Sequence, residues 1–501
     1  MRAWPLSLVL VSCASQQRFP DRDIVWAVDD MKNIAPPAEN PYANFEYMAN
    51  VFFLRRSTRA LELNTYRPAI GTNALDEVPD SSWFTNRIGK RTISPDEAAH
   101  GCDGEGPPVL PFVVVAAKSG GGNPGFVVKD ASGRKFLVKF DTHENPEQQT
   151  ATDAIVARIF WTLGYHVPAD YVLVFARDEI TAGPDVKDVD LVLDIVPKQL
   201  DGKYRAIASE FLLGKPLGGV PPEGVREDDP NDRIPHQHRR ELRAMSVIGA
   251  WLNHTDMKED NTLDVLIEEN GKKFVRHYFV DFGEAFGAHA SEKGRFEDGY
   301  EHYFDWKKQA LAFFSFGLWI RPWEWLEETP WPVVGAFSAD HFDPTDWREA
   351  YPYWPITEAG PEDHFWAAKL VMRFDRPILE AIVKEAQISA PEAAAYLIDT
   401  LMARRDAVGR AFLGEVTPLD EWTIEGDRVC AVDLWVRHGF GEPEPVIDGE
   451  GHAHTVEKTG RVCIPLPASD DYTVIKLRAG DRPYLELHVK GGRILGLIRR
   501  S

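Results

Sequence analysis

Two short motifs in the second half of the chain combine residue types that could carry out phosphoryl transfer. One places Asp256 five residues before Asn261, and the other is the triplet Asp281-Phe282-Gly283, which begins 20 residues after Asn261. A carboxylate at Asp256 could orient and deprotonate an attacking hydroxyl group. Side-chain oxygens of Asn261 and Asp281 are of the kind that Mg²⁺ prefers, so these two residues are candidate metal ligands.

The residues around the two motifs support the same chemistry. Lys258 could neutralise the charge that develops on a transferred phosphoryl group. An Asn270-Gly271 turn between apolar runs predicts a hairpin that brings Asn261 and Asp281 to the same end of two adjacent strands. Either motif alone is more often a turn or a helix cap. Their order and the predicted hairpin make phosphoryl transfer the favoured interpretation.

An apolar strand and the helix after it supply candidates for binding a nucleotide. Lys139 lies at the end of that strand, where a lysine could pair with the α and β phosphates. Such a lysine needs a carboxylate partner, and the candidates are Glu147 near the helix start and Asp153 within the helix. We favour Asp153, because it faces the strand if Ile155 and Ile159 face the core.

Two other segments could contact the nucleotide through their backbones. The stretch Ser119–Gly125 is rich in glycine, and Gly122 and Gly125 could cover the phosphates with N–H groups. The stretch lacks the Gly-x-Gly-x-x-Gly spacing and also fits a simple hairpin turn. The strand ending at Glu210 leads into Leu212 and then a glycine, which resembles the hinge that binds adenine in protein kinases.

The pattern of the whole chain predicts an α+β fold. Apolar and β-branched runs separated by glycine turns over residues 112–140 predict antiparallel strands. Apolar residues at helical spacing predict helices over 148–163, 239–252 and most of 303–413. Short alternating runs after Gly414 predict a small β-domain. Further strands are expected at residues 171–175, 189–195 and 206–212.

This set of motifs resembles the kinase-like superfamily, and within it the atypical HipA- and CotH-like branch. The segment Ala157–Pro168, after the strand lysine, has the sequence character of that branch. The resemblance covers about residues 110–415 and implies a two-lobed protein-kinase-like fold with an antiparallel sheet in the N-lobe and a helical C-lobe. The residues onto which the family's roles carry over are Lys139, Asp256, Asn261 and Asp281.

The resemblance implies a kinase, a transferase that uses ATP and magnesium to phosphorylate a hydroxyl acceptor, which stays unassigned. Thr255 stands where ordinary kinases have an arginine, and no Ala-Pro-Glu follows the Asp-Phe-Gly triplet. Activation by loop phosphorylation is therefore not expected. The alternative hypothesis is a non-catalytic, pseudokinase-type binding or scaffold protein. Retention of the whole residue set favours the enzyme, because a scaffold needs none of it.

The first 13 residues predict a signal peptide. A charged start is followed by an apolar run and then Leu10-Val11-Ser12-Cys13, which resembles the lipobox of bacterial lipoproteins and implies lipidation of Cys13. This predicts a cell-envelope protein, on the periplasmic side or the surface of the outer membrane, whose membrane contact is the lipid at Cys13. If the signal is misread, the location is cytoplasmic. The chain as a whole resembles a family of bacterial envelope lipoproteins.

The predicted division of the chain has five parts. They are the signal peptide 1–13, a tether 14–40, an extension 41–110 packing on the N-lobe, the kinase-like domain 111–414 and the β-domain 415–501.

The composition limits the kinds of partner that the protein is expected to bind. The chain of 501 residues has 56 basic and 78 acidic residues, a net charge of −22, so it has no excess of cations with which to bind nucleic acid. His236 and His238 lack the spacing of a zinc site, and a solvated helix start is the favoured interpretation. Cys430 and Cys463 could pair in an oxidising compartment.

Tryptophans are concentrated in one region. Of the 15 tryptophans, eight lie between Trp306 and Trp366. Aromatic clusters bind sugars or peptides, but a buried helical core is the favoured interpretation here.

Overall fold

The computed structural model describes residues 17–61, 67–102, 104–118, 120–186, 188–289, 295–327 and 329–500. The predicted signal peptide and Cys13 lie outside the described residues. Across these ranges, no helix combines the length and the apolar character needed to span a membrane. The fold is mixed α+β, as the sequence predicts.

The segment before residue 111 is mostly extended and contacts several later elements. Its helices are α1 (Asn44–Ala49), α2 (Arg55–Arg59), joined to α1 by a π-helical turn, and α3 (Pro95–His100). The N–H of Ile34 donates to the carbonyl of Lys273 at 2.9 Å, so the segment also reaches the hairpin predicted from the Asn-Gly turn.

A six-stranded sheet follows, made of β1 (Phe112–Ala117), β2 (Gly125–Lys129), β3 (Lys135–Lys139), β4 (Asp170–Phe175), β5 (Ile180–Ala182) and β6 (Tyr204–Glu210). Its strand order is β4-β6-β3-β2-β1-β5. Alternate residues of its central strands, such as Phe126, Val128, Phe136 and Val138, are buried in one core. All neighbouring pairs are antiparallel except β1 and β5.

Helix α4 (Gln148–Leu163) follows β3 and is buried along its whole length, with the bounds that the sequence predicts. It ends at Gly164, whose φ of 132° is accessible to glycine. The strand expected at 189–195 is wrong, because Asp190–Leu193 forms the short helix α5. Val189 and Leu193, four residues apart, are buried on one face of that turn.

The predicted hairpin is present and belongs to a small antiparallel sheet. Its strands are β7 (Lys215–Gly218), β8 (Thr262–Glu269) and β9 (Lys272–Phe279). Asn270 and Gly271 both have positive φ, as a tight two-residue hairpin turn requires. The helix expected over 239–252 is divided into α6 (Arg240–Arg243) and α7 (Met245–Leu252).

The helical part contributes to the largest apolar core, together with α4 and α7. Residues 315–353 are mostly loop, so the prediction of helices over 303–413 holds mainly for its second half. The helices are α8 (Trp306–Phe314), α9 (Trp354–Thr357), α10 (Pro361–Val371), α11 (Arg376–Glu385) and α12 (Pro391–Phe412).

The C-terminal region contains two sheets around an apolar core of their own. Cys430 and Cys463 lie opposite each other on neighbouring strands and form a disulfide. The elements are β10 (Leu419–Glu425), β11 (Arg428–Asp433), α13 (Leu434–Arg437), β12 (Val446–Asp448), β13 (Ala453–His454), β14 (Arg461–Pro465), β15 (Thr473–Ala479), β16 (Leu485–Lys490) and β17 (Arg493–Ile498).

Candidate active site

Lys139, at the end of β3, lies between two carboxylates. Its Nζ is 2.7 Å from Oδ2 of Asp153 on α4 and 2.9 Å from Oδ1 of Asp281 after β9. Burial alone would lower the pKa of Lys139, but Asp153 and Asp281 together raise it above its ordinary value. The amine therefore stays charged and connects the sheet, α4 and the hairpin.

Asp281 is held by its backbone in a conformation that few residues adopt. Its φ is 60°, and its neighbours are fixed by hydrogen bonds on both sides. The N–H of Val280 donates to the carbonyl of Asn261 at 3.0 Å, and the N–H of Phe282 donates to Oδ1 of Asp153 at 2.7 Å. About half of the Asp281 side chain, 52%, is exposed. Such strained positions persist where the surrounding structure determines them, and they are concentrated at functional sites.

The pKa values of Asp281 and Asp153 are shifted in opposite directions. Lys139 lowers the pKa of Asp281, so its carboxylate is charged. Burial raises the pKa of Asp153, although Lys139 opposes this shift. Asp153 therefore acts as the inner partner of the lysine, while Asp281 presents charge toward solvent.

Asp256, Lys258 and Asn261 form the second part of the site. Nζ of Lys258 is 2.9 Å from Oδ1 of Asp256, and Nδ2 of Asn261 donates to Oδ2 of Asp256 at 2.8 Å. The same amide also donates to the main-chain carbonyl of Asp256 at 2.7 Å. Burial alone would lower the pKa of Lys258, but Asp256 raises it above its ordinary value. The carboxylate of Asp256 is thus oriented from two sides.

Aromatic rings pack between the segment that carries Asp256 and the segment that carries Asp281. The buried ring of His254 lies 5.9 Å from the ring of Phe282 and 5.9 Å from that of Phe160 on α4. Burial lowers the pKa of His254 to about 4, so the ring is neutral near pH 7. His254 therefore serves packing between the motifs.

Glu284 is a residue of the site that sequence reasoning missed. Burial raises its pKa to about 8, and the nearby charge of Asp256 adds to the shift. Its position three residues after Asp281 is the signal that was available. Nothing in that spacing shows that the chain turns back toward Asp256.

Lys118 was missed as well. Its Nζ donates to the carbonyl of Gly120 at 2.7 Å and to that of Asn123 at 3.2 Å, so it holds the glycine-rich loop from within. Burial lowers the pKa of Lys118, and the charge of Asp281 opposes this shift. A basic residue flanking a glycine loop is the sequence signal for such an arrangement.

The glycine-rich loop itself is a hairpin between β1 and β2. The N–H of Lys118 donates to the carbonyl of Gly125 at 3.0 Å, which closes the loop, and Ser119 lies outside the described residues. A Cβ at Gly125 would lie 2.3 Å from the carbonyl oxygen of Val138, so a side chain cannot fit there. Gly122 is exposed at the tip of the loop.

The structure does not bring Glu147 to Lys139. Glu147 precedes α4 with a φ of 65°, and its Oε2 accepts a hydrogen bond from the N–H of Ser389 at 2.9 Å. Asp153 is the carboxylate that meets Lys139. The helical position explains the difference, because Asp153 lies within α4 while Glu147 sits on the turn before it.

The predicted hinge follows β6 directly. The side chain of Glu210 accepts from the N–H of Glu105 at 3.3 Å and lies 3.6 Å from Arg134, so its carboxylate has a structural role. Leu212 packs with Ile267 and Phe274 of the hairpin.

The expectation of a solvated helix start around His236 is wrong. His236 is buried, and its Nε2 lies 2.8 Å from Oδ2 of Asp232. His238 is also buried and lies 3.0 Å from Glu358. The polar groups packed around these rings account for their burial.

Only a few side chains of the described site could bind a metal ion. Within the described parts of the chain, no group of three or more His, Cys, Asp or Glu side chains could hold a metal ion. Asn261 and Asp281 remain the candidates. Mg²⁺ at phosphoryl-transfer sites is bound through one or two protein ligands together with substrate phosphates, so such a pair suffices.

Comparison with known proteins identifies no family for the chain. No protein-family model matches the sequence, and no curated protein matches it. Among solved structures, the chain is similar to the Golgi casein kinase with Mn/ADP bound, at 9% identity and a TM-score of 0.30. The match covers 61% of this chain and 72% of that one. At this level of likeness, the function has to be inferred from the side chains themselves.

Proposed function

We propose that the protein is a kinase-like phosphotransferase that uses Mg²⁺ and ATP to phosphorylate a hydroxyl acceptor. In this proposal the six-stranded sheet and the helical part are the two lobes of a kinase-like fold, of the HipA- and CotH-like kind. The observation that carries the proposal is the position of Lys139 between Asp153 and Asp281, beside the connected set of Asp256, Lys258 and Asn261.

Each side chain has a separate role in the proposed reaction. Asp256 accepts the proton of the acceptor hydroxyl, whose oxygen forms the new bond to the γ-phosphorus while the bond to the β–γ bridging oxygen breaks. Lys258 stabilises the charge on the transferred group. Lys139 binds the α and β phosphates, and the backbone around Leu212 binds the base. The loop with Gly122 and Gly125 covers the phosphates.

Asn261 and Asp281 fit a magnesium site. The amide nitrogen of Asn261 donates to the side chain and the carbonyl of Asp256, so the oxygen of the same amide is the atom that could bind the ion. Asp281 gives one oxygen to Lys139 and remains half exposed. Both thus offer the oxygen ligands that Mg²⁺ prefers. When bound, the ion would neutralise the phosphate oxygens during transfer.

The proposal places the protein in the bacterial cell envelope, attached through a lipid at Cys13. The lipobox-like sequence supports this location, and so does the disulfide between Cys430 and Cys463, since disulfides persist in oxidising compartments. The same disulfide favours a second candidate, a non-catalytic binding or scaffold protein, because ATP is scarce outside the cytoplasm. Nucleotide binding with no turnover would identify this second function.

A thermal-shift titration with Mg²⁺ and ATP tests the proposal. Ligands that bind only the folded state raise its stability by about 2.7 kcal/mol at a concentration of about 100 Kd. We expect the wild type to melt at a higher temperature with Mg²⁺-ATP, and we expect EDTA to reverse most of the shift. Asp281→Ala should weaken the response at least tenfold in ligand concentration.

Asp343→Ala is the matched control, because Asp343 is an exposed aspartate that caps a turn at Thr345. It should respond like the wild type. No shift in the wild type at millimolar nucleotide, or equal shifts in Asp281→Ala and the wild type, would contradict the proposal.

A further inference from the structure

Helix α8 and the loop after it leave an unusual set of large apolar side chains in water. None of the nine residues of α8 is buried. Phe313, Phe316 and Leu318 are 73%, 90% and 88% exposed. Monomeric soluble proteins rarely expose contiguous apolar surface of this kind without a binding role. Trp306 and Trp325 are likewise 54% and 62% exposed, whereas Trp347, Trp354 and Trp366 are buried, so the expected buried core is found only in the later part of the tryptophan-rich region.

Trp306 contacts a residue of the N-terminal segment, and Phe313, seven residues further along α8, lies on the same face of the helix. The ring of Phe53 lies 5.4 Å from that of Phe304 and 6.4 Å from that of Trp306. Phe304 and Trp306 are 4.7 Å apart. We call this surface the aromatic patch, and its members are Phe53, Phe304, Trp306, Phe313, Phe316 and Leu318.

Basic side chains border the aromatic patch, in a chain with a net charge of −22. Arg56 donates to the carbonyl of Phe304 at 3.2 Å, Lys307 lies on α8 beside Trp306, and Nζ of Lys308 lies 5.7 Å from the centre of the Trp319 ring. Asp305, the acid within this stretch, uses its side chain to cap α8 through the N–H groups of Lys307 and Lys308. The patch is therefore apolar at its centre and positively charged at its border.

We propose that the aromatic patch is a docking surface for an anionic phospholipid bilayer. Tryptophan and phenylalanine beside lysine and arginine are typical of segments that lie in the membrane interface. The side chains of Phe316 and Leu318 project from the surface almost completely. A protein partner would need a matching pocket for each, whereas acyl chains adapt to such projections. The bordering cations match anionic headgroups.

The aromatic patch adjoins the candidate active site. Nζ of Lys258 lies 5.2 Å from the centre of the Tyr351 ring, and that ring contacts the ring of Tyr303 at 4.9 Å. Tyr303 directly precedes Phe304. Docking would bring Asp256 close to the headgroups, a consequence that rests on the proposed function, while the docking itself does not.

Vesicle flotation tests the docking surface. The protein is the full chain carrying Cys13→Ala, so that no lipid is attached, and the vesicles contain phosphatidylcholine with or without phosphatidylglycerol. We expect binding to the anionic vesicles that weakens with salt. Phe313→Ser with Phe316→Ser should lower the partition coefficient by about tenfold or more, because two rings no longer enter the bilayer. The control pair is Leu191→Ser with Ile195→Ser. These two residues lie outside the aromatic patch and are 70% and 60% exposed.

A second readout uses the wild type and one conservative aromatic substitution. Brominated lipids should quench part of the tryptophan fluorescence of the wild type, and Trp306→Phe should reduce the quenched fraction. Equal partition of the patch variant and the wild type, without quenching, would overturn the proposal. So would a patch variant that changes only the sedimentation of the protein, because the patch would then bind a second copy.

The thermal shift with Mg²⁺-ATP separates this proposal from the proposed function. The patch variant should keep the shift of the wild type. Loss of vesicle binding with a normal shift therefore concerns the docking surface, and absence of the shift in the wild type concerns the proposed function.

Discussion

The molecule has two buried clusters of ion pairs, and they are built differently. The first, the Lys139 cluster, consists of Lys139, Asp153, Asp281, Asp256, Lys258 and Glu284. The second, the Arg240 cluster, consists of Arg240, Arg243, Arg59, Asp76, Glu358 and Asp363. They differ in charge balance, in exposure and in the use of their oxygens.

The Arg240 cluster is balanced and fully bonded. Three arginines face three acids, and Asp363 uses both oxygens, at 3.0 Å to Arg240 and 3.2 Å to Arg243. Its Oδ2 also accepts the N–H of Gly360 at 3.0 Å. A buried charge is tolerated when it is paired and hydrogen-bonded in this way.

The Lys139 cluster has four acids and two lysines. Burial raises the pKa of Glu284 and the nearby charge of Asp256 adds to the shift, while the carboxylate of Asp281 is half exposed. A site with more acids than bases attracts a cation. The difference teaches that the Arg240 cluster holds elements together, whereas the Lys139 cluster is suited to bind a charged ligand.

The largest effect on stability is expected from the Arg240 cluster. Asp363→Ala would leave Arg240 and Arg243 without a shared carboxylate, and breaking a buried pair in this way costs about 3–5 kcal/mol. The free energy of unfolding in urea measures the loss, with Asp343→Ala as the exposed control. A loss below about 1 kcal/mol would remove the distinction between the clusters.

A smaller effect of another kind is expected at Lys139. Lys139→Met removes a charged partner of the phosphates, worth about 1.5–3 kcal/mol, so the affinity for Mg²⁺-ATP should fall about tenfold to a hundredfold. Stability should change less than in Asp363→Ala, because Asp281 can hydrate and Asp153 can take up a proton. Isothermal titration and urea unfolding measure the two quantities. Lys203→Met, at an exposed lysine, should change neither.

The smallest effect is a dependence of stability on pH. Glu284 has a pKa of about 8 in the fold against an ordinary value of 4.5, so between these values the folded state holds a proton that the unfolded state has lost. Its contribution to stability is present below pH 4.5 and is lost as the pH rises through about 8. Partial exposure and screening by water keep the contribution small.

Glu284→Gln should remove that dependence, because glutamine does not ionise. Urea unfolding of the variant and the wild type at about pH 5 and about pH 8 measures the difference. Parallel pH profiles of the two proteins would show that Glu284 does not carry the shift, and would remove one sign of excess acid in the Lys139 cluster.

Local chemistry made part of the fold and site predictable. The Asn270-Gly271 turn and the apolar spacing of α4 depend on neighbouring residues alone, and both match the structure. The hairpin in turn places the segments with Asn261 and Asp281 side by side, as the motif spacing predicted.

Features set by distant contacts were not predictable. Glu284 approaches Asp256 because the backbone turns directly after Asp281, whose φ is 60°, and the N–H of Ala285 donates to the carbonyl of Phe282 at 3.1 Å. The exposure of α8 could not be predicted either, because apolar residues at helical spacing predict a buried helix. Glu147 and Asp153 were both candidate partners of Lys139, and their positions relative to the first turn of α4 decide which one reaches it.

Turnover of ATP by Asp256→Asn, measured beside the wild type, tests the central claim most directly. Asparagine keeps the shape of the side chain but cannot accept the hydroxyl proton, so phosphoryl transfer should fall about a hundredfold or more. The thermal shift with Mg²⁺-ATP should persist in the variant. Turnover equal to that of the wild type in purified Asp256→Asn would contradict the account.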